Sequence, residues 1–141
     1  MHRNSDAQWV KMNFDIPCYD IEQEYLSVKE ELVINRPQDG HKDWFAASLF
    51  IKDNITEVGL KCTKTVEFIK SLPYDRLDDV RFLVIKPEGY IAEHSDVPEH
   101  NWLDTLNMSI SYPNGSKFIL NGEEVPYHKG AAFVLNVHYS H

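Results

Sequence analysis

From residue 79 onward the chain is a succession of short β-type runs cut by turn residues, and that pattern narrows its possible folds more than any other feature. The runs are "VRFLVIKP" (80–87), "GYIAEH" (89–94), "TLNMSISYP" (105–113), "KFILNGEEV" (117–125) and "AAFVLNV" (131–137). The breaks carry Pro87 and Gly89, Pro98, Pro113 with Gly115, Gly122, and Gly130. Short strands with regular turn signals specify a sandwich or a barrel. Two of the breaks, "YPNGSKF" and "ILNGEEV", contain Asn-Gly, and both residues tolerate the positive φ that tight hairpins need. The region reads as an antiparallel β-roll.

The first half has a different character. "QWVKMNFDI" (8–16) reads as a strand stopped by Pro17. "DIEQEYLSVKEEL" (20–32) places Ile21, Tyr25, Val28 and Leu32 at helical spacing. Asp20 stands there as an expected N-cap, with Gln23 three residues later as in a capping box. "NRPQDGHKD" (35–43) is a loop by its turn residues, "WFAASLFI" (44–51) a strand, and "CTKTVEFIKSL" (62–72) a second helix ended by Pro73. Nothing reads as a linker. A single domain over 1–141 is expected, with strands and two helices in 1–78 and the β-roll in 79–141.

Composition limits the function. Hydrophobic residues are 43% of the chain and charged residues 26%, the balance of a folded globular protein. A net charge of −8 argues against nucleic acid or an anionic membrane as main partner, since both attract basic surfaces. Cys18 and Cys62 are too few for a disulfide framework and form no CxxC pair. With no secretory leader pattern in "MHRNSDAQWVKMNF" and no apolar run of spanning length, a cytoplasmic protein with reduced thiols is expected.

The chemistry gathers at "GYIAEHSD" (89–96). Side chains two apart on a strand share a face, so His94 and Asp96 converge while Ser95 turns away. An imidazole and a carboxylate on one face begin a metal site; two histidines and a carboxylate, leaving open positions opposite, are the ligand set of non-haem Fe(II) oxygenases. A strand end also carries polar residues simply to face solvent, and a lone HxD pair is a weak signal. Of the other histidines, His2 lies near the N-terminus, and His41, His100 and His128 fall in polar loops or turns. His138 and His141 follow the late strand "AAFVLNV", which a roll brings back toward His94.

Residues 81–141 resemble the aspartyl/asparaginyl β-hydroxylase-like branch of the Fe(II)/2-oxoglutarate oxygenases. The resemblance is carried by the turn Pro87-Glu88-Gly89, the "I-x-x-H-x-D" run, the strand beginning near "LN", the Pro113–Phe118 hairpin, the Gly122-Glu123 pair, and the run from Gly130 past Asn136 to a distal histidine. It implies a mainly β (α+β) fold: a double-stranded β-helix, or cupin-like jelly roll, with the N-terminal helices packed on it. It implies His94 and Asp96 as metal ligands. The distal ligand falls to His138 or His141, and the order Ser140-His141 suits the family better, so His141 is expected. The cofactors implied are Fe(II) and 2-oxoglutarate, and the reaction is hydroxylation of an unactivated C–H bond of a peptide or small molecule. Asn107 matches a polar pocket position, and Trp102, Met108, Phe118 and Phe133 are candidate apolar walls.

One departure stands out. The family places an arginine on a strand beyond the distal histidine, where it pairs with the far carboxylate of 2-oxoglutarate. Here nothing follows His141. The expectation is therefore a fragment lacking the last strands of the roll, inactive as it stands and weak in metal affinity. Arg81 and Lys117 are the cations of the β-region open to a substitute role. Two rival readings share the residues: a cupin-like zinc hydrolase or isomerase, since Zn(II) accepts the same ligands, and a non-catalytic β-roll binding module. Substrate and oligomeric state are not legible.

Overall fold

The computed structural model describes residues 8–94, 105–137 and 141. In chain order the elements are β1 Trp9–Met12, α1 Cys18–Val28, β2 Val33–Ile34, β3 Lys42–Ile51, β4 Asn54–Ile55, α2 Glu57–Lys61, α3 Thr63–Lys70, β5 Val80–Tyr90, β6 Thr105–Met108, β7 Ile119–Leu120, β8 Glu123–Glu124 and β9 Ala132–Leu135, with single 3-10 turns at Lys29–Glu31 and Pro37–Asp39. The protein is mostly β with a few helices. All strand pairs among the described residues are antiparallel, and they close no barrel. No helix of the described residues is long and apolar enough to cross a membrane.

The chain forms two compact units, Tyr19–Ala92 and Met1–Cys18 with Glu93–His141. In Tyr19–Ala92 the centre is β3, ten residues of apolar and small side chains. It pairs with β5 on one side and with β2 and β4 on the other. The 80–90 strand, read from sequence as the opening of the roll, belongs here, with Phe45 opposite Val84 and Ala47 opposite Phe82. Turn spacing marks where strands lie but not which of them pair. The separate runs 80–87 and 89–94 are one strand to Tyr90, broken by an irregularity where Glu88 adopts φ 65°. Tyr25 of α1 meets Phe82 edge-on, with ring centroids 5.6 Å apart. Ile21, Val28, Leu49, Phe50, Cys62, Val66 and Ile69 are buried.

The helices differ from the expected ones at their ends. α1 begins at Cys18, directly after Pro17, so Asp20 sits in the first turn rather than at the N-cap. There its charge suits the helix dipole and lies 3.7 Å from Lys64. The expected 62–72 helix is preceded by a short helix, α2, capped by Thr56, whose hydroxyl oxygen accepts from Gly59 N at 3.0 Å.

In the other unit β9 is the central strand between β1 and β6. Its four residues are all buried. The register aligns Lys11, Phe133 and Asn107 in one row, and Trp9, Leu135 and Thr105 in the next. Directly opposite residues share a face. Phe133 and Leu135 therefore point into a cluster with Leu120, Val125, Ala131 and Val137, flanked by Trp9, Phe118 and Tyr127. Both Asn-Gly pairs form turns. Asn121 and Gly122 have φ 51° and 77° and close the β7–β8 hairpin. At Asn114-Gly115 the turn closes through Ser116 N to Pro113 O, but no ladder flanks it among the described residues.

Candidate metal centre

His94 and His141 stand 47 residues apart in sequence and face each other in the fold. The N–H of His94 donates to the carbonyl of His141 at 2.9 Å, and the N–H of His141 to the carbonyl of His94 at 2.7 Å. Residues that exchange both bonds are directly opposite in an antiparallel ladder, so their side chains leave from the same face. The two imidazole centroids are 4.3 Å apart with the planes tilted by 54°. Both residues are half-buried.

An aromatic wall continues from this pair into the core. The Phe118 ring lies nearly parallel to His141, 6.3 Å between centroids and 15° between planes. Tyr127 follows at 5.4 Å from Phe118 and meets Phe133 edge-on at 4.7 Å. Tyr112 stacks on Tyr127 at 5.7 Å. Burial, and then the neighbouring Tyr112, hold the Tyr127 phenol far above its ordinary range; burial, and then the Glu124 charge, push up that of Tyr112. Both phenols remain protonated at neutral pH, so the wall contributes shape and dryness but no charge.

The other expected site residues divide. Asn107, on β6, shares the sheet face of Phe133 and is half-buried. Lys117 is exposed, one residue before Phe118. Arg81 is exposed on β5, within the unit Tyr19–Ala92. Of the apolar walls, Phe118 and Phe133 lie in the cluster beside His141. Met108 is opposite Ala132 and so points to the other face of its sheet. Asp96, His138, His2, His100 and Trp102 lie outside the described residues. Among the described residues no group of three or more His, Cys, Asp and Glu is gathered, and the His pair is the assembled part of the expected set.

The described donors fit a divalent transition metal. Two imidazoles projecting from paired backbone are suitable ligands when neutral, and the two reciprocal backbone hydrogen bonds hold His94 opposite His141.

One histidine that the sequence placed in a polar loop makes a long-range contact within the unit Tyr19–Ala92. His41 Nδ1 accepts a hydrogen bond from the backbone N–H of Ala92 at 2.8 Å. The two residues are 51 apart, and no local pattern signals the contact.

The chain matches the aspartyl/asparaginyl β-hydroxylase family over residues 18–141. Comparison with curated proteins and with solved structures gives no match.

Proposed function

Because this chain belongs to the aspartyl/asparaginyl β-hydroxylase family, we propose that it serves as an Fe(II)- and 2-oxoglutarate-dependent hydroxylase acting on a peptide or small-molecule C–H bond. The observation that carries the reading is the His94–His141 pair, joined by two backbone hydrogen bonds with ring centroids 4.3 Å apart. Asp96, two residues after His94, supplies the carboxylate of the ligand set in this reading.

A jelly-roll framework is part of the proposal, and the pairing of the chain supports it. His94 pairs with His141, β6 with β9, and β7 with β8. Each pair is nested within the one before, around the Asn121-Gly122 turn. A long antiparallel ribbon folded back in this way generates such a roll, with the ligand pair at the open end of the ribbon.

When bound, iron and 2-oxoglutarate would supply, with dioxygen, the oxidative chemistry that hydroxylates a C–H bond as 2-oxoglutarate is decarboxylated. The protein's part is to bind, orient and exclude water. His94 and His141, with Asp96, would hold the metal. Phe118 covers the flank of His141 and limits its rotation. Phe133, Leu135 and Tyr127 keep bulk water from the face beneath it, which strengthens electrostatic contacts made there. Asn107, on the same sheet face as Phe133, would offer its amide to a polar group of 2-oxoglutarate. Lys117 is the proposed cation for the far carboxylate of 2-oxoglutarate. Lys117 lies in the same compact unit as the histidine pair.

The test is an anaerobic titration of Fe(II) with 2-oxoglutarate, followed by visible absorption. The reading predicts a weak metal-to-ligand charge-transfer band that needs both components. A stoichiometric zinc retained through purification, with no such band after iron loading, would favour a zinc enzyme instead.

A further inference from the structure

We propose that the Tyr127 hydroxyl donates a hydrogen bond to the far carboxylate of 2-oxoglutarate, and so selects a 2-oxo acid that carries a second carboxylate. The proposal rests on the reading above that the His94–His141 pair holds the metal which 2-oxoglutarate chelates.

The Tyr127 hydroxyl oxygen is shielded from solvent and has no hydrogen-bond partner among the described residues. A buried donor left unpaired costs stability, and a phenylalanine would fill the same space without that cost. The ring makes its packing contacts without the oxygen. Its centroid lies 5.4 Å from that of Phe118, 4.7 Å from that of Phe133 and 5.7 Å from that of Tyr112. Packing therefore explains the ring and leaves the hydroxyl unexplained.

The backbone holds this ring in place. Val125 N donates to Phe118 O at 2.8 Å, which carries the pairing of the β7–β8 hairpin one step further. Pro126 follows, its φ restricted by the ring, and Tyr127 N donates to Val125 O at 2.8 Å in a three-residue turn. On the other side Ala131 N donates to His128 O at 3.0 Å and leads into β9. Tyr127 is anchored between two paired segments and packs against the cluster of Phe133 and Leu135.

Its neighbours indicate the class of ligand. Phe118 touches both rings, stacking at 6.3 Å on His141 and lying 5.4 Å from Tyr127. Phe133, edge-on to Tyr127, is paired with Asn107 and shares its face. All of these residues belong to one compact unit. A 2-oxo diacid binds a metal through its 2-oxo acid end, so its other carboxylate extends away from the histidines, along the wall that flanks them. Burial keeps the Tyr127 phenol protonated, so it donates to an anion and does not repel it. A hydroxyl bonded to a carboxylate makes a charge-assisted bond, about twice as strong as a neutral one. Lys117, next to Phe118 in the chain, brings the opposite charge on a flexible stem. Tyr127 adds the direction that the lysine lacks.

The experiment loads wild type and Tyr127→Phe with Co(II) and titrates each with 2-oxoglutarate and with 2-oxobutyrate, read by calorimetry. 2-Oxobutyrate keeps the chelating 2-oxo acid and lacks the second carboxylate. Thermal midpoints are measured on the metal-free chains. Tyr127→Phe is expected to bind 2-oxoglutarate about tenfold more weakly, the loss of one hydrogen bond to a charged group, to bind 2-oxobutyrate as wild type does, and to melt no lower than wild type. An unchanged 2-oxoglutarate affinity, or an equal loss for both acids, overturns the role of Tyr127 alone. So does a lower midpoint in Tyr127→Phe, which would show that the hydroxyl is satisfied inside the fold. A wild-type chain that binds no Co(II), or binds Co(II) and neither acid, overturns the oxygenase reading, and this role with it.

Discussion

Glu24 shows how much one side chain can organise when both carboxylate oxygens accept hydrogen bonds. Its carboxylate accepts from Lys64 N at 3.0 Å, Thr65 N at 2.7 Å and Thr65 Oγ1 at 2.7 Å, so a residue of α1 caps the start of α3. Burial raises the pKa of this carboxyl, but the bonds from Thr65 and Lys64 and the Lys64 charge together outweigh it, and the net value lies below the ordinary 4.5. A carboxyl with a depressed folded pKa stabilises the fold above its unfolded pKa, and loses that contribution as pH falls through the folded value. Glu24→Gln should therefore cost about 1 kcal/mol at pH 7, and the difference from wild type should shrink as pH drops below 4.5. Urea unfolding at several pH values measures it; an equal difference at pH 7 and pH 3 would contradict the account. The Glu24 cap was not legible in the sequence, because its partners lie about 40 residues away. The His94–His141 pair was legible because each histidine follows a recognisable strand-like run. His41 was read as a loop residue for the reason that hid Glu24: only the tertiary fold supplies its partner.

At the scale of elements, the long periodic segments were legible and the short ones were not. α1 was expected from its helical spacing, and β3 and α3 were read as a strand and as a helix ended by Pro73. α2 is five residues long, and the two-residue strands β2 and β4 carry no measurable period. What makes α2 is tertiary: Thr56 caps it and donates its hydroxyl to Ser48 O at 2.6 Å, tying the helix start to β3. Gly59 completes the fit. A Cβ at this position would stand 2.5 Å from the Leu49 carbonyl oxygen and 2.7 Å from Ile55 Cγ1. Helix propensity favours Gly59→Ala by about 1 kcal/mol, but overpacking against a backbone atom costs about 1–3 kcal/mol. The carbonyl belongs to a central strand that cannot easily yield, so the clash should win. Gly59→Ala is expected to lower the thermal midpoint, whereas an unchanged or higher midpoint would show that β3 and α2 can separate at little cost. The pairing of β5 with β3 had a different obscurity: both strands were visible, but nothing local says that they meet.

For the whole molecule, two compact units divide the work. Tyr19–Ala92 buries its own core, including Cys62, whose thiol is pushed up to about 11 by burial and then by the nearby Glu24 and Glu31 charges. The second unit carries the nested strand pairs and the His pair. The family match over 18–141 spans both units, whereas the sequence resemblance rested on 81–141. The late motifs, with their histidines, turns and glycines, are readable because chemistry restricts which residues serve there. The first half is built from interchangeable apolar residues and offers no such marks. The central claim is that His94 and His141 together hold the metal, and anaerobic Fe(II) titration of wild type, His94→Ala and His141→Ala tests it most directly. Saturable binding in wild type, lost in both variants while their folds persist, is the predicted result; Fe(II) binding that survives either substitution unchanged would contradict it.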